Sequence, residues 1–239
     1  MNREMTNRIR FVLEDIVPAF IRDSFLFRGF AGLVWGRHIK DLARFRERAP
    51  FLTEQEYEDL YKHHPRVHEG TDNSQACIER IAADVVGKSV CDVGCGTGVL
   101  LKIIHEKRPE LTQLTGVDFA IDDANSLPGI DYVAAKIESL PFEDDAFDTV
   151  ICTHVVEHIL DYRAAIAELR RIAKHKLIIV VPREREYRYT FNPHFNFFPY
   201  THSFLRAMVP VPEDYVCEDI KRDIYYAEDV NSVGKVKAA

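Results

Sequence analysis

Short apolar segments alternate with amphipathic ones along residues 75–239. Five segments are apolar enough to form β-strands: 90–93, 114–117, 132–135, 147–152 and 177–181. Between them, apolar residues recur at helical spacing in three segments: 99–107, 121–126 and 161–173. Residues 75–86 predict a further helix, and residues 214–228 predict a closing β-hairpin. Alternating strands and helices predict an α/β fold with a doubly wound, mostly parallel sheet and helices on both faces.

Two of the predicted strands carry continuous apolar runs. These are Thr149–Ile151 and Leu177–Val181, in which apolar and polar residues do not alternate. A run of this kind is typical of a strand that is buried on both faces of a parallel sheet. We therefore expect both segments in the centre of the sheet.

Residues 1–74 have a different pattern, which is helical and amphipathic and is interrupted by proline and glycine. Thr53, with Glu56 three residues later, predicts a helix start of the capping-box type. The most apolar stretch, 16–35, contains Pro18 and several charged residues, which argues against a membrane-spanning helix. We predict a helical N-terminal lid on the substrate side over 1–74 and a sheet domain over 75–239.

Charge is unevenly distributed along the chain. The 239 residues carry a net charge of −7, whereas residues 1–50 hold ten Arg and Lys against six Asp and Glu, a net charge of +4. The other residues, 51–239, therefore carry −11, and the chain lacks the basic surface expected of a nucleic-acid-binding protein. The basic, aromatic-rich N-terminal segment predicts a separate contact surface. Peripheral contact with an anionic membrane through residues 1–50 is one interpretation.

Cysteine and histidine usage adds little chemistry. The five cysteines form no Cys-x-x-Cys pair, and their odd number favours a reducing compartment. The first residues lack the apolar core of a secretory signal, so we expect a cytoplasmic protein. His63, His64 and His68 are close in sequence, but His64-Pro65-Arg66 is typical of a loop, and we expect no metal site.

The segment Asp92–Gly98, Asp-Val-Gly-Cys-Gly-Thr-Gly, joins the first strand of the sheet to a helix. Because glycine lacks a Cβ atom, backbone N–H groups in such a turn can come close to a ligand. The spacing differs from that of dinucleotide-binding enzymes, since Val99 stands where a third glycine would be, and the Gly-Lys-Ser/Thr of a phosphate-binding loop is absent. The carboxylate of Asp92 would repel a pyrophosphate and would suit an ammonium or sulfonium group.

This segment resembles motif I of the class I S-adenosylmethionine-dependent methyltransferases. The resemblance implies a seven-stranded, Rossmann-like methyltransferase sheet and S-adenosyl-L-methionine as the cofactor. It also implies that the methionine half of the cofactor lies on the turn, whose residues are Asp92, Gly94, Cys95, Gly96, Thr97 and Gly98. The alternative is an ordinary glycine-rich turn.

The ends of the second and third strands carry the next candidates. Asp118 could accept hydrogen bonds from both ribose hydroxyls, or it could cap a helix, and Phe119 would lie near the adenine ring. Lys136-Ile137-Glu138, followed by Ser-Leu-Pro-Phe, resembles a family segment in which an Asp commonly accepts a hydrogen bond from adenine. Lys136 cannot accept one. The resemblance therefore implies adenine recognition by the backbone N–H of Ile137, or by Glu138.

The fourth strand is followed by a segment that resembles the family's Val-Leu-Glu-His sequence, which lines the methionine end of the cofactor and opens towards the acceptor. His154 lies nearest the strand end and is the first candidate for a general base or a substrate-orienting group, because the pKa of histidine is near neutrality. A structural hydrogen bond is the alternative. Glu157 and His158 are expected to serve packing or capping.

Residues 183–202, after the fifth strand, combine aromatic side chains with Asn192, His194 and His202. This composition suits an acceptor pocket with apolar walls and a few polar anchors, or else an aromatic core loop. His202 and His194 are the next candidates for the base after His154.

We therefore expect an enzyme that transfers the sulfonium methyl group by SN2 displacement to a small-molecule or glycan (sugar) acceptor, with no nucleic acid as partner. Two alternatives remain. The acceptor could be lipid-linked or a quinone at the membrane surface, since the N-terminal segment is basic and aromatic. The chain could also be a catalytically silent regulatory protein that binds S-adenosylmethionine, an interpretation that Lys136 supports. Fold alone names no acceptor.

Overall fold

The computed structural model describes residues 12, 16–27, 29, 45–53, 55–56, 70–121, 126–186 and 193–232. By its internal contacts the chain divides into two units. The first comprises Met1–Glu69 and Glu184–Phe197, and the second comprises Gly70–Arg183 and Phe198–Ala239. The first unit thus contains most of the predicted N-terminal segment together with the middle of the aromatic segment at 183–202. The boundary between residues 74 and 75 stays a prediction.

The described helices of the first unit are short. They are α1 (Ala19–Arg22), α2 (Phe45–Arg48) and a 3-10 turn at Ala49–Phe51. A capping box is present at Thr53, whose N–H donates to Glu56 Oε2 at 2.8 Å while the Glu56 N–H donates to Thr53 Oγ1 at 3.3 Å. The other predicted N-terminal helices lie mostly outside the described residues. Within the described part of the chain, no helix has both the length and the apolar character needed to cross a membrane.

The second unit is built on a sheet with seven strands among the described residues. These are β1 (Ser89–Val93), β2 (Gln113–Asp118), β3 (Asp131–Ala134), β4 (Phe147–Thr153), β5 (Ala173–Pro182), β6 (Tyr215–Ile220) and β7 (Asp223–Asp229). Their order is β3-β2-β1-β4-β5-β7-β6, and among these strands β7 alone runs antiparallel to the others. The predicted doubly wound, mostly parallel sheet is confirmed. Its order reverses between β1 and β4, whose carboxyl ends form the crevice where such sheets bind ligands.

Helices accompany this sheet. They are α3 (Gln75–Asp84), α4 (Val99–Lys107), α5 (Tyr162–Ile172) and α6 (Thr201–Ala207), with 3-10 turns at Val156–His158 and Val230–Ser232. Ser74 caps α3, since its hydroxyl oxygen accepts a hydrogen bond from the Cys77 N–H at 3.2 Å. Asp161 caps α5 in the same way through the Ala164 N–H at 3.1 Å. Both caps satisfy backbone donors that the first turn of a helix leaves unpaired.

Alternate side chains of the central strands pack against helices on opposite faces of the sheet. Leu177 and Ile179 of β5 lie in the apolar cluster that includes the buried face of α5. Ile178 and Val180 lie in the cluster that includes α3 and α4. All four side chains are fully buried, so the apolar run in β5 is explained by helices on both sides of the sheet.

Element boundaries differ most from the prediction in two places. β5 begins at Ala173, directly after α5, so Lys174, His175 and Lys176 extend the strand. Lys174 and His175 are exposed, and an apolar pattern therefore cannot reveal this extension. The other difference is α6, which begins at Thr201 inside the predicted 183–202 segment. Residues 122–125 of the predicted helix at 121–126 lie outside the described residues.

A buried ion pair attaches the hairpin to α5. Glu228 of β7 is fully buried and accepts two hydrogen bonds from Arg170, at 2.6 Å from Nε and 2.7 Å from Nη2. The Tyr226 hydroxyl donates to the same carboxylate at 2.5 Å, and Arg170 also donates to the Met208 carbonyl at 2.8 Å. Each charge thus has an oppositely charged, hydrogen-bonded partner, and a single substitution at Arg170 or Glu228 would remove that partner.

Removing one partner of this pair should be strongly destabilising. We expect Arg170→Ala to lower the free energy of unfolding by about 3–5 kcal/mol, because the Glu228 carboxylate would stay buried without its counter-charge. The control is the Arg108–Glu110 pair, joined at 2.5 Å, in which Glu110 is exposed; Glu110→Ala should change stability by less than about 1 kcal/mol. Urea unfolding followed by circular dichroism measures both, and equal losses would contradict the prediction.

Candidate functional site

The turn after β1 has a backbone that favours glycine. Gly94 and Gly98 have φ angles of 84° and 81°, in the left-handed region that L side chains rarely adopt. A Cβ atom added at Gly94 would collide with Val155, and one added at Gly98 would collide with Tyr132. Side chains from β3 and from the segment after β4 therefore pack directly onto the turn.

Hydrogen bonds to β2 hold the turn in place. The N–H groups of Gly94 and Cys95 both donate to the Val117 carbonyl, at 2.7 and 3.0 Å. The N–H of Gly96 donates to Oδ2 of Asp118 at 2.9 Å. The turn is thus attached to the end of β2 by three backbone donors, and the Asp118 carboxylate is oriented towards it.

Asp118 is the last residue of β2 and is partly buried. Its Oδ1 atom accepts a hydrogen bond from the Ala120 N–H at 3.2 Å, while Oδ2 accepts from Gly96. Each carboxylate oxygen can accept more than one hydrogen bond. The group is therefore held in position and can still bind a pair of ligand hydroxyls, which is what the predicted ribose contact requires. Phe119 follows it and is also partly buried.

Asp92 lies at the end of β1, beneath the turn. Its side chain is buried, with 2% of the residue exposed, and its Oδ1 atom has no hydrogen-bond partner among the described residues. Burial, and to a smaller extent the charge of Asp118, raises the pKa of Asp92 to about 7. A cation placed beside this carboxylate would supply the missing partner and lower that pKa.

His154 follows β4 in a strained backbone conformation. Its φ angle is 57°, a region that residues other than glycine seldom occupy. The His154 N–H donates to the Val180 carbonyl of β5 at 2.8 Å, so strand pairing holds the conformation. The side chain is 14% exposed, and its Nε2 atom makes no hydrogen bond within the described part of the chain.

Acidic side chains surround this histidine. Nδ1 lies 3.7 Å from Glu157 Oε1, and Nε2 lies 3.9 Å from Asp223 Oδ1. Burial by itself would lower the pKa of His154, but the interaction with Glu157 and the charges of Asp223 and Asp72 outweigh burial and raise this pKa above its usual value. The ring therefore keeps its proton to a higher pH than an ordinary histidine.

Comparison with known proteins identifies the segment that carries these features. Residues 91–181 match a family model described as a methyltransferase domain. They include the glycine turn, Asp118 and His154. Over these residues the chain is similar to methyltransferase domains, in agreement with the resemblance of the Asp92–Gly98 segment to motif I of the class I S-adenosylmethionine-dependent methyltransferases.

Relatives of the methyltransferase domain match it over part of their length. "Ubiquinone biosynthesis O-methyltransferase" from Idiomarina loihiensis is 34% identical over 106 residues, which cover 41% of this chain and 42% of the relative. The chain thus matches less than half the length of the curated relatives that share this name. The alignment therefore supports the domain, and it leaves the rest of those proteins unmatched.

Solved structures share the fold at low sequence identity. The PH0226 protein from Pyrococcus horikoshii has a TM-score of 0.52 and 18% identity, with 72% of this chain and 98% of that chain covered. A SAM-dependent methyltransferase from Thermotoga maritima has a TM-score of 0.50 and 16% identity, with 64% and 86% covered. These similarities extend to the fold and no further.

The cofactor of this methyltransferase class is S-adenosylmethionine, and two observations in the structure fit it. The Asp118 carboxylate is fixed by the N–H groups of Gly96 and Ala120 and retains the capacity to accept hydrogen bonds from two ligand hydroxyls. The buried Oδ1 of Asp92 lacks a partner among the described residues, and an ammonium or sulfonium group would supply one. Asp92 and the turn would hold the methionine half, and Asp118 would hold the ribose.

The predicted adenine segment of the methyltransferase domain forms a tight turn. The Ser139 N–H donates to the Lys136 carbonyl at 3.1 Å. Lys136 and Glu138 are exposed, whereas the Ile137 side chain is 5% exposed and belongs to the core. The contact of the Ile137 N–H with adenine stays a prediction, as does that of Glu138.

Three polar residues of the site carry no signal in the sequence. Tyr132 of β3 donates its hydroxyl proton to the Thr97 carbonyl at 2.8 Å and so supports the turn. Asp223 begins β7 and pairs with Pro182, which brings it to the end of β5 near His154. Only the pairing of distant strands places these residues, so spacing along the chain could not reveal them. Glu157, expected from the sequence to serve packing or capping, lies against His154.

Asn73 is the third of these residues. It is 5% exposed and donates from Nδ2 to Thr153 Oγ1 at 2.9 Å and to Thr71 Oγ1 at 3.0 Å. Its Oδ1 atom has no hydrogen-bond partner in the described ranges. The amide thus reaches the end of β4 from the residue before the α3 cap, and its oxygen could accept a hydrogen bond from a ligand.

The other two candidate bases have different surroundings. His202 is exposed on α6, and its ring stacks on Tyr200 with centroids 5.1 Å apart. His194 belongs to the first unit and is buried, with Nδ1 2.5 Å from Glu184 Oε2. Of the three histidines, His154 is the one that follows a central strand of the sheet.

The buried charge of Asp92 predicts a pH-dependent effect on stability. Because folding raises the pKa of this acid to about 7, its ionisation opposes folding, and the wild type should lose stability as the pH rises from about 4 towards 7. Asparagine does not titrate. Asp92→Asn should therefore gain stability relative to the wild type, by about 1–3 kcal/mol more at pH 8 than at pH 5. Chemical unfolding at both pH values measures the difference, and a pH-independent difference would contradict it.

Proposed function

We propose that this protein transfers the methyl group of S-adenosylmethionine to a hydroxyl group of a small-molecule or sugar acceptor. The proposal rests on one arrangement. At the carboxyl ends of β1 and β4, a glycine turn with two carboxylates stands next to His154, and Val155 packs onto the turn. S-adenosylmethionine supplies an activated methyl group when bound, so the protein has to align the acceptor, exclude water and take up a proton.

His154 is proposed as the group that takes up this proton. The acceptor oxygen forms a bond to the methyl carbon as the carbon–sulfur bond breaks and its electron pair stays on sulfur. The hydroxyl proton passes to Nε2 of His154, which makes no hydrogen bond among the described residues. Glu157 on the Nδ1 side would orient the ring, and Asp223 would stabilise the imidazolium that forms.

The protonation state of His154 determines the pH range in which it can act as the proposed base. A histidine acts as a base only in its neutral form, and the acids around His154 raise its pKa. The proposed base is therefore active above a pKa that is higher than that of an ordinary histidine. The same acids make the neutral ring a stronger base, because basicity rises with the pKa of the conjugate acid.

A lipid-linked or quinone acceptor is the second candidate function. It is supported by the name of several relatives, "Ubiquinone biosynthesis O-methyltransferase", which are 31–34% identical over part of this chain. Incubation with S-adenosylmethionine and a panel of sugars, phenols and quinols, followed by mass spectrometry for the gain of one methyl group, separates the candidates. Cofactor binding without methyl transfer to any class of acceptor would favour the silent regulatory protein instead.

Cofactor binding is tested by the thermal shift with S-adenosylhomocysteine, the demethylated product. A ligand that binds only the folded state should raise its stability by roughly 2.7 kcal/mol at a hundredfold excess over the dissociation constant. Asp118→Asn should remove most of this shift, because the amide binds the ribose hydroxyls less strongly than the carboxylate. Asp131→Ala, at the opposite end of β3, is the control and should keep the shift. A wild type without any shift would refute the proposed cofactor.

The role of His154 is tested by pH–rate profiles with the acceptor found in the panel. For a hydroxyl acceptor, His154→Ala should lower kcat by about 10²–10⁴ without changing the affinity for S-adenosylhomocysteine. The wild-type kcat should rise with pH through the pKa of His154, and Asp223→Asn should move this rise to lower pH because it removes a neighbouring negative charge.

His175→Ala is the control for these profiles. His175 lies at the amino end of β5, away from the proposed site, and its loss should leave kcat unchanged. A normal kcat in His154→Ala would show that another group is the base, and His202 and His194 would then be substituted in turn. A profile that does not move in Asp223→Asn would remove Asp223 from the proposal.

A further inference from the structure

Residues 16–27 of the first unit expose many apolar side chains within a short stretch. Phe20 is 78% exposed, Phe25 is 71% exposed and Leu26 is 70% exposed, and Ile16 and Ile21 are exposed as well. Single exposed apolar residues are common on soluble proteins, whereas several of them close together mark an interaction surface. This stretch, named here the apolar segment, is therefore expected to bind a partner surface.

The burial pattern of the apolar segment is the inverse of that of an ordinary surface helix. In α1, the charged residue Arg22 is 5% exposed, whereas the apolar residues Phe20 and Ile21 point outwards. A helix of a soluble protein normally buries its apolar face and exposes its charges. The outer face of α1 is thus suited to an apolar environment.

The charge around the apolar segment identifies this environment. Residues 1–50 carry ten Arg and Lys against six Asp and Glu, while residues 51–239 carry a net charge of −11. Apolar and aromatic side chains within a basic segment are the combination that binds an anionic bilayer at the level of its headgroups. Pairing of this segment with the same segment of a second copy would instead bring two positive charges of +4 together.

We propose that residues 16–27 bind the surface of anionic lipid bilayers, with Phe20, Phe25 and Leu26 inserted among the lipid headgroups and upper acyl chains. The basic residues of the N-terminal segment attract the bilayer, and the apolar side chains provide contact area that persists at higher salt. The proposal does not depend on methyl transfer, since binding to lipid requires neither cofactor nor acceptor.

Vesicle co-sedimentation of the full chain tests this proposal. We expect binding to vesicles of phosphatidylcholine mixed with phosphatidylserine, weaker binding to phosphatidylcholine alone, and a decrease with added salt. The double variant Phe20→Ser/Phe25→Ser should bind at least about tenfold more weakly, given the apolar area removed from each side chain. Because both phenylalanines are exposed, the far-UV circular dichroism of the variant should match that of the wild type.

The matched control replaces two exposed apolar residues of the second unit, Leu160 and Val209, which are 57% and 69% exposed. Leu160→Ser/Val209→Ser should bind vesicles like the wild type. A wild type that binds neither kind of vesicle would overturn the proposal, as would equal binding by both double variants. A wild-type dimer that becomes monomeric in Phe20→Ser/Phe25→Ser, without lipid binding, would assign the surface to a second copy and would also overturn it.

Discussion

The close contact between Gly94 and Val155 is the constraint on which the rest of the site depends. Because Gly94 has no Cβ atom, the segment after β4 packs directly onto the turn after β1. That contact brings the turn, with its anchors on β2, next to the residue that precedes Val155, which is His154. A larger residue at position 94 would therefore separate the two halves of the site.

Negative charge is concentrated at this edge of the sheet, and its distribution explains two opposite effects. Asp92 is buried and has no counter-charge among the described residues, so burial disfavours its ionised form. His154 is partly buried among acids, and their charges favour its protonated form. Both effects favour positive charge at the site. A cation bound beside Asp92 would stabilise its ionised carboxylate, and the neighbouring acids favour the protonated, cationic form of His154. The glycine turn contributes backbone donors without adding further charge.

The sequence predicts well what depends on local pattern. β1 and α4 follow from apolar periodicity. The Asp92–Gly98 segment indicates the fold and the cofactor through its resemblance to motif I, and its glycines Gly94 and Gly98 adopt a left-handed backbone. The strand residues Lys174 and His175 escape prediction because they are exposed and lie where the β4–β5 register shifts, between the pairs Phe147–Ala173 and Thr149–Lys176. Asp223 and Tyr132 escape it for a related reason: strands far apart in the chain bring them to the site, and no spacing rule contains that information.

The left-handed backbone of His154 means that the fold tolerates a histidine where glycine would be less strained. Residues of this kind are a recognised point of conflict between stability and activity, since relief of the strain would remove the imidazole. Selection for heat resistance alone would favour glycine here, as would consensus design that ignores catalysis. A chain engineered in that way would keep its sheet and its glycine turn, and it would lose the imidazole of the proposed base.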